Sequence, residues 1–405
     1  MRLPCCRHCG SALERVFLDL GYAPPSNAYL HPSALTSPEL TFPLRLLVCD
    51  TCHLVQTEDF TDADRLFAPD YAYFSSTSKS WLDHAARYAR TVIERLGLGE
   101  DSHVIEVASN DGYLLKNFVA AGIPCLGIEP TGGTAAAAEA LGIPVLREFF
   151  GEALGERLAR EGRQADLIAG NNVYAHVPDI NDFTRGLAAA LKLEGVITLE
   201  FPHLMRLVEF HQFDTVYHEH FSYLSLVSVH RIFAAAGLRI FDVEELPTHG
   251  GSLRVYGCHA GASYPMTPGA EAILAEELAR GMDGAAFYEG FQDRADAVKN
   301  GFLRFLIDAR RDGRSVAGYG AAAKGNTLLN YAGVKPDLLP FVCDAAKSKQ
   351  GMLMPGSHIP ILPPEALSER RPDYVVILPW NIADEVRKQL SPLAGKGTRF
   401  VTAVP

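Results

Sequence analysis

The 405-residue sequence predicts an α/β chain of three units: a small cysteine-held unit at the N-terminus, a central unit on a parallel sheet, and a second, smaller parallel-sheet unit. Three observations predict it. Cys6-x-x-Cys9 and Cys49-x-x-Cys52 are two pairs with metal-ligand spacing. The run Val104-Ile105-Glu106-Val107 stops in Ala108-Ser109-Asn110-Asp111-Gly112, and helical spacing begins at Tyr113. Strand, glycine turn and helix then recur at 315–327. The expected boundaries are 1–65, 66–245 and 246–405.

Composition narrows the functions. With 48% apolar residues and no apolar run of about 18, the chain reads as a cytoplasmic protein without a signal peptide or membrane span. A formal charge of −11 disfavours DNA or RNA, whose phosphates need clustered Lys and Arg. One basic pocket for a small anion is compatible with that charge. A monomer is expected, with oligomers left open.

The two cysteine pairs predict a four-thiolate zinc site, because two residues between thiolates form a tight knuckle with both sulfurs on one tetrahedral ion. Eight cysteines in a cytosolic chain are poor evidence for disulfides. Four protein ligands leave no open position, so the zinc is expected to be structural. Cys5 is an adjacent fifth thiol, with x-x-x spacing to Cys9. Residues 53–80 read as a packed linker with an aromatic stretch at 66–74, and a helix is expected over 81–96, ended by Gly97 and Gly99.

Val104, Ile105 and Val107 suit a strand buried on both faces. The turn after it departs from the dinucleotide fingerprint G-x-G-x-x-G, since Ala108 and Asn110 replace glycines and only Gly112 remains. A pyrophosphate is therefore not the expected ligand. The next strand, Cys125-Leu126-Gly127-Ile128, ends at Glu129, 23 positions after Glu106, where a carboxylate can accept ribose hydroxyls. Acid, late glycine and second acid resemble the S-adenosylmethionine site of Rossmann-like methyltransferases. An ordinary strand-turn-helix with a solvated Asn-Asp turn is the plain alternative. Strands at 165–170 and 195–201 flank a helix at 182–191, and the first strand's exit carries Asn171, Asn172 and His176. The two asparagines suit helix capping or ligand contact equally.

Tyr217-His218-Glu219-His220-Phe221-Ser222-Tyr223 holds more acid-base capacity than a solvated loop needs. It lacks H-E-x-x-H spacing, and imidazoles two apart chelate a metal only from a strand or open turn. A structural aromatic loop is the competing explanation. His249-Gly250-Gly251-Ser252, between two strand-like runs, marks a close backbone approach. Residues 270–312 read as a charged helical connector. The third unit has Gly318, Gly320 and Ala323 in G-x-G-x-x-A spacing, Asp344 after its next strand, and further strands near 374–378 and 398–401.

Together these landmarks resemble the deoxysugar C-methyltransferase family. The resemblance rests on both C-x-x-C pairs, on Glu106 to Gly112, on Asn172-Val173-Tyr174-Ala175-His176 and on Tyr217-His218-Glu219-His220. It rests also on His249-Gly250-Gly251-Ser252, Tyr319-Gly320-Ala321-Ala322-Ala323-Lys324-Gly325-Asn326 and Trp380-Asn381. It implies a zinc-binding domain, a Rossmann-like methyltransferase domain and a second Rossmann-like, substrate-binding C-terminal domain. The implied activity is methylation of a nucleoside-diphosphate 4-keto deoxysugar, commonly dTDP-linked, at a ring carbon beside the ketone, with C-3 expected. Carried over by motif, the active-site positions are Tyr71, His176, Tyr217, Glu219 and His220. Cofactor contacts are expected from Glu106, Ala108, Ser109, Asn110, Asp111, Gly112, Glu129, Pro130, Asn171 and Asn172. Substrate contacts are expected from His249, Gly250, Gly251, Ser252, Tyr319, Gly320, Lys324, Asn326, Trp380 and Asn381.

The chemistry explains the residue types. A carbon next to a carbonyl becomes a nucleophile once a base takes its proton, and neutral imidazole suits that task near pH 7. His220 is the expected base, with Glu219 orienting it and Tyr217 or His176 donating to the enolate oxygen. Two other readings fit parts of the chain. One is an NAD-dependent nucleotide-sugar oxidoreductase using the 318–344 turn, and the other a non-catalytic zinc-module interaction protein.

Overall fold

The computed structural model describes residues 4–58 and 74–404, so Tyr71 and nearly all of the 66–74 stretch lie outside the described residues. The central sheet has seven strands in the order Leu238–Leu246, Ser252–His259, Leu191–Pro202, Ala165–Asn171, Val104–Val107, Cys125–Ile128, Val145–Leu146. The last five run parallel, and the first two form an antiparallel hairpin at one edge. Val104–Val107 and Cys125–Ile128 are buried at every position, as unbroken apolar runs in a covered parallel sheet should be. Helix Lys79–Leu96 packs against this sheet. Ser78 caps it by accepting from Trp81 N, and Gly97 ends it in the left-handed conformation.

One expected helix start moves. The helix after the first strand begins at Leu115 rather than Tyr113, because Asn110 (φ 50°) and Gly112 (φ 77°) keep the chain in left-handed turns. The break expected at 245/246 falls inside the edge hairpin. Ser252–His259 belongs to the central sheet, pairing with Leu238–Leu246 on one side and Leu191–Pro202 on the other. Ser252 through Cys258 are buried at every position between two neighbouring strands, so the chain leaves the central sheet only after His259. It then passes through helices Pro268–Ala279 and Phe291–Arg311 to a parallel sheet ordered Ile361–Leu362, Val342–Cys343, Val316–Tyr319, Tyr374–Ile377, Arg399–Val401.

The N-terminal sheet contains Arg15–Ala23, Phe42–Val48 and Val55–Thr57, and its fourth strand, Ser222–Tyr223, comes from the central unit. The histidine loop is thereby hydrogen-bonded into the cysteine-held unit. One apolar core runs through Phe17, Leu46, Phe213, Phe291, Leu328 and Val376, so all three units share it. Phe17 stacks on Phe291 with ring centroids 4.7 Å apart, and Asp19 N donates to Gln292 Oε1 at 2.8 Å. Among the described residues no helix is long and apolar enough to cross a membrane.

Candidate active site

The four thiols of Cys6, Cys9, Cys49 and Cys52 lie within 4.8 Å of one another. Cys6 and Cys52 Sγ are 3.5 Å apart, as are Cys9 and Cys49 Sγ. A tetrahedral zinc with thiolate bonds near 2.3 Å separates its sulfurs by about 3.8 Å, so the cluster fits that ion. Gln56 Nε2 donates to Cys6 Sγ at 3.2 Å and Cys52 N to Cys49 Sγ at 3.5 Å, which supports thiolate charge. Cys5 is exposed and outside the cluster. Replacing Cys6 or Cys52 by serine should leave well under one zinc per chain and lower solubility, because three thiolates hold the ion poorly and its loss opens the apolar cluster of Leu13, Leu47 and Leu54 around the thiols. Metal analysis beside a sedimentation assay checks this, and a soluble, metal-free, fully active variant would refute it.

At the carboxyl edge of the central sheet, Val104–Val107 ends in a turn with three left-handed residues, Ala108 (φ 57°), Asn110 and Gly112. A Cβ at Gly112 would lie 2.5 Å from Ile143 Cδ1, so the one glycine retained is the one the following layer requires. Glu129 is buried at the end of the neighbouring strand. Its Oε2 accepts from Asn110 N at 2.9 Å and its Oε1 from Thr131 N at 3.0 Å and from the Thr131 hydroxyl. Pro130 follows it at the same edge, partly buried. Asn110 Oδ1 and Asp111 Oδ2 accept from Ser75 N and Ser76 N, each at 3.0 Å, which ties the turn to the chain entering helix Lys79–Leu96.

Around this turn, among the described residues, buried acceptors lack donors: Asp111 Oδ1, Asn171 Oδ1 and Asn172 Oδ1, together with the Ser109 hydroxyl. Glu106 is fully buried, and burial, opposed in part by Tyr113, holds its carboxyl well above the usual range. Such an excess of acceptors repels phosphate and suits a ligand that brings N–H and O–H donors and positive charge. S-adenosylmethionine, with its ammonium, sulfonium and ribose hydroxyls, is such a ligand. Glu129→Ala should weaken binding of S-adenosylhomocysteine by about 1.5–3 kcal/mol, the range for hydrogen bonds to a charged group. Calorimetry reads it directly, and unchanged affinity would remove Glu129 from the site.

The second cluster lies beside the first. His220 Nδ1 is 3.1 Å from Thr215 O, so that nitrogen carries the proton and Nε2 keeps its lone pair. His176 Nδ1 donates likewise to Glu219 O at 2.8 Å. The rings of His176 and His220 have centroids 4.5 Å apart, and that of Tyr217 lies 4.0 Å from that of His220. Burial pushes His176 down to about 4, and burial with His176 nearby pushes His220 well below its ordinary value, so both are neutral near pH 7. Glu219 does not orient His220. Its Oε1 accepts from Asn27 Nδ2 at 3.1 Å, and the Thr215 carbonyl holds the imidazole instead, because adjacent residues in this turn point apart.

The C-terminal unit closes the cluster with Lys324 and Trp380. Lys324 Nζ lies 4.3 Å from the Trp380 ring centroid and donates to Asn381 Oδ1 at 3.0 Å. Trp380 Nε1 donates to the buried Asp214 Oδ2 at 2.7 Å. Burial lowers Lys324 to about 8 and raises Asp214 to about 6, each opposed by the other's charge. His249, left-handed at φ 54°, sits on the 248–251 turn, with its buried Nε2 lacking a partner. The close approach at Gly250 is to protein: a Cβ there would lie 2.3 Å from Trp380 Cη2. Gly251 would meet Arg206, and Ser252 Oγ donates to Thr248 O at 2.9 Å.

Three of the expected substrate contacts also meet other parts of the protein. Tyr319 packs with Ala317, Phe341 and Val375 on the far face of the third sheet, because strand parity turns it away from the loops. Asn326 is buried, its Nδ2 donating to Ser26 O at 2.6 Å while its Oδ1 has no partner among the described residues. A Cβ at Gly320 would lie 2.4 Å from Pro379 Cδ, and Asp344 accepts from Ala321 N and Ala346 N, both at 2.7 Å. Protein atoms thus fill the turn that its spacing offered to a dinucleotide.

The spacing also missed a buried network. Arg254 Nη2 donates to Glu200 Oε2 at 2.8 Å, His84 Nε2 is 2.9 Å from the same oxygen, and the Thr248 hydroxyl donates to Oε1 at 3.0 Å. Trp81 stacks on His84 at 4.9 Å and reaches His249 at 5.8 Å and Tyr113 at 5.9 Å, so its ring lies between residues of the two clusters. The available signal was a charge inside each apolar strand run, Leu199-Glu200-Phe201 and Leu253-Arg254-Val255.

Comparison with known proteins agrees with this arrangement. Models of a zinc binding domain, a methyltransferase domain and a C-methyltransferase C-terminal domain match residues 6–67, 81–243 and 247–405. The class these define with the two clusters is an S-adenosylmethionine-dependent C-methyltransferase carrying a four-cysteine zinc site. The chain belongs to the family of the C-methyltransferase NovU of Streptomyces niveus, to which it is 34% identical over 400 residues, 99% of this chain and 95% of that one. Among solved structures, the 1,6-didemethyltoxoflavin-N1-methyltransferase of Burkholderia thailandensis is 15% identical with a TM-score of 0.37, covering 51% of this chain and 95% of that one. The magnesium protoporphyrin IX methyltransferase of Synechocystis PCC 6803 is 13% identical with a TM-score of 0.36, covering 44% and 83%.

Proposed function

We propose that this C-methyltransferase acts on a nucleoside-diphosphate 4-keto deoxysugar, dTDP-linked, and methylates C-3 beside the ketone. The observation that carries the reading is the pair of neutral imidazoles, His220 and His176, each with Nδ1 held by a main-chain carbonyl. Bound S-adenosylmethionine supplies an electrophilic methyl group on a sulfonium. His220 Nε2 takes the proton from the substrate carbon, and the C–H electron pair moves into an enolate. Tyr217 donates to the oxygen where that charge gathers. The enolate carbon then bonds to the methyl carbon as the carbon–sulfur bond breaks, and the proton stays on His220 until solvent removes it.

Lys324, with Asn381 and the Trp380 edge, supplies positive charge and donors for the diphosphate on an otherwise acidic chain. Glu106 and Glu129 hold the cofactor's charged and hydroxyl groups at the adjoining edge. The test is direct. The zinc-loaded protein is incubated with methyl-labelled S-adenosylmethionine and dTDP-4-keto-deoxysugars, and label should appear at C-3 of the sugar. Label at another carbon would revise the position, and label in no nucleotide sugar would reject the substrate class.

A further inference from the structure

The zinc-binding unit reaches into the catalytic cluster. Its segment 24–30 is pinned to the C-terminal unit on both sides of Asn27. Ser26 O accepts from Asn326 Nδ2 at 2.6 Å, the Tyr29 hydroxyl donates to Ala321 O at 2.5 Å, and Leu30 and Leu353 exchange main-chain bonds of 3.0 and 2.8 Å. From this fixed segment Asn27 Nδ2 donates to Glu219 Oε1 at 3.1 Å. Glu219 is 2% exposed, and its Oε2 meets no donor among the described residues. A buried carboxylate with one oxygen held and the other unpartnered is incomplete without a ligand that donates to it.

We infer that Asn27 is a positioning residue for methyl transfer: its carboxamide holds Glu219 so that Oε2 accepts a hydroxyl of the substrate. The hydroxyl rests on the proposed sugar substrate, whereas the Asn27–Glu219 contact does not. Burial raises the Glu219 carboxyl, and hydrogen bonds from its own main chain and from Asn27 oppose the rise. Among the described residues no cation shares that task. The facing imidazoles of His176, His218 and His220 are lowered by burial and neutral, and the Tyr223 phenol is raised by burial and neutral too. Removing the Asn27 side-chain donor, while its main-chain donor stays, therefore leaves the ionised form of Glu219 with less support, and its titration must move to higher pH.

The test uses the full-length, zinc-loaded chain saturated with S-adenosylhomocysteine and labelled with carboxyl-13C glutamate, with Glu219→Gln assigning the resonance. Asn27→Ala should raise the Glu219 midpoint by about one pH unit, the scale of a lost hydrogen bond to a buried carboxylate, with zinc content and cofactor affinity as in wild type. Asn27→Leu keeps the size, adds no charge and has a side chain that donates nothing, and it is the variant read if Asn27→Ala loses zinc. A midpoint unmoved in a variant that keeps zinc and cofactor overturns the inference. With sugar substrate, Asn27→Ala should raise KM more than it lowers kcat, and should add no further loss to Glu219→Gln. Independent losses in that background also overturn it. A shifted midpoint in a protein that methylates no nucleotide sugar supports the Asn27 contact while sinking the sugar reading.

Discussion

His220→Asn is expected to abolish both methyl transfer and proton exchange while leaving ligand binding intact. S-adenosylhomocysteine fills the cofactor site without a methyl to give, so wild type in deuterated buffer should wash deuterium into the sugar carbon next to the ketone. Asparagine approximates the shape of the imidazole and can still bond to the Thr215 carbonyl, 3.1 Å from His220 Nδ1, but it cannot take a proton. The loss should reach about 10²–10⁴-fold in both rates, the usual contribution of a general base. The pH dependence has a definite sign. Burial and neighbouring His176 push His220 well below its ordinary value, so it stays a free base as pH falls through 6.5 and loses activity only at lower pH. An acid limb centred near 6.5 that disappears in His220→Asn would contradict the buried geometry. Wild-type exchange in the variant would remove His220 from the role of base.

Tyr217→Phe should slow exchange and transfer together by about 10²–10³-fold, the scale for losing one donor to a developing oxyanion. Both reactions pass through the same enolate, so their ratio should stay at the wild-type value. The ring remains against His220, where the centroids are 4.0 Å apart, so the base is still in place. Stopped-flow binding of both ligands should be unaltered. If Tyr217→Phe loses all exchange while His220→Asn keeps it, the phenol is the base and the two roles are reversed.

Much of this protein is legible from nearest neighbours in the chain. The zinc site follows from two C-x-x-C knuckles, since their spacing alone puts paired sulfurs on one ion. The central sheet follows from apolar runs that stop in small turn formers, and Glu106 and Glu129 follow from being the polar residues where those runs end. What short spacings do not show is which distant strand or unit lies alongside. Strand parity sends Tyr319 into the far core, although its motif placed it beside Lys324. Asn326 is engaged by Ser26, 300 residues away in sequence. The same holds for partners that no spacing could have suggested: Asn27 on Glu219, and His84 and Arg254 on Glu200.

By itself the sequence determined the metal knuckles, the strand-turn-helix starts of the two parallel-sheet units, and the kinds of acid and base available, because periodicity and short spacings act within a few residues. Only the tertiary structure decided which imidazole nitrogen is free, which carboxylate oxygen lacks a partner, and that the histidine loop completes the zinc unit's sheet. Protonation and orientation depend on burial and on donors brought from other units, and those contacts exist only once the three units share one core.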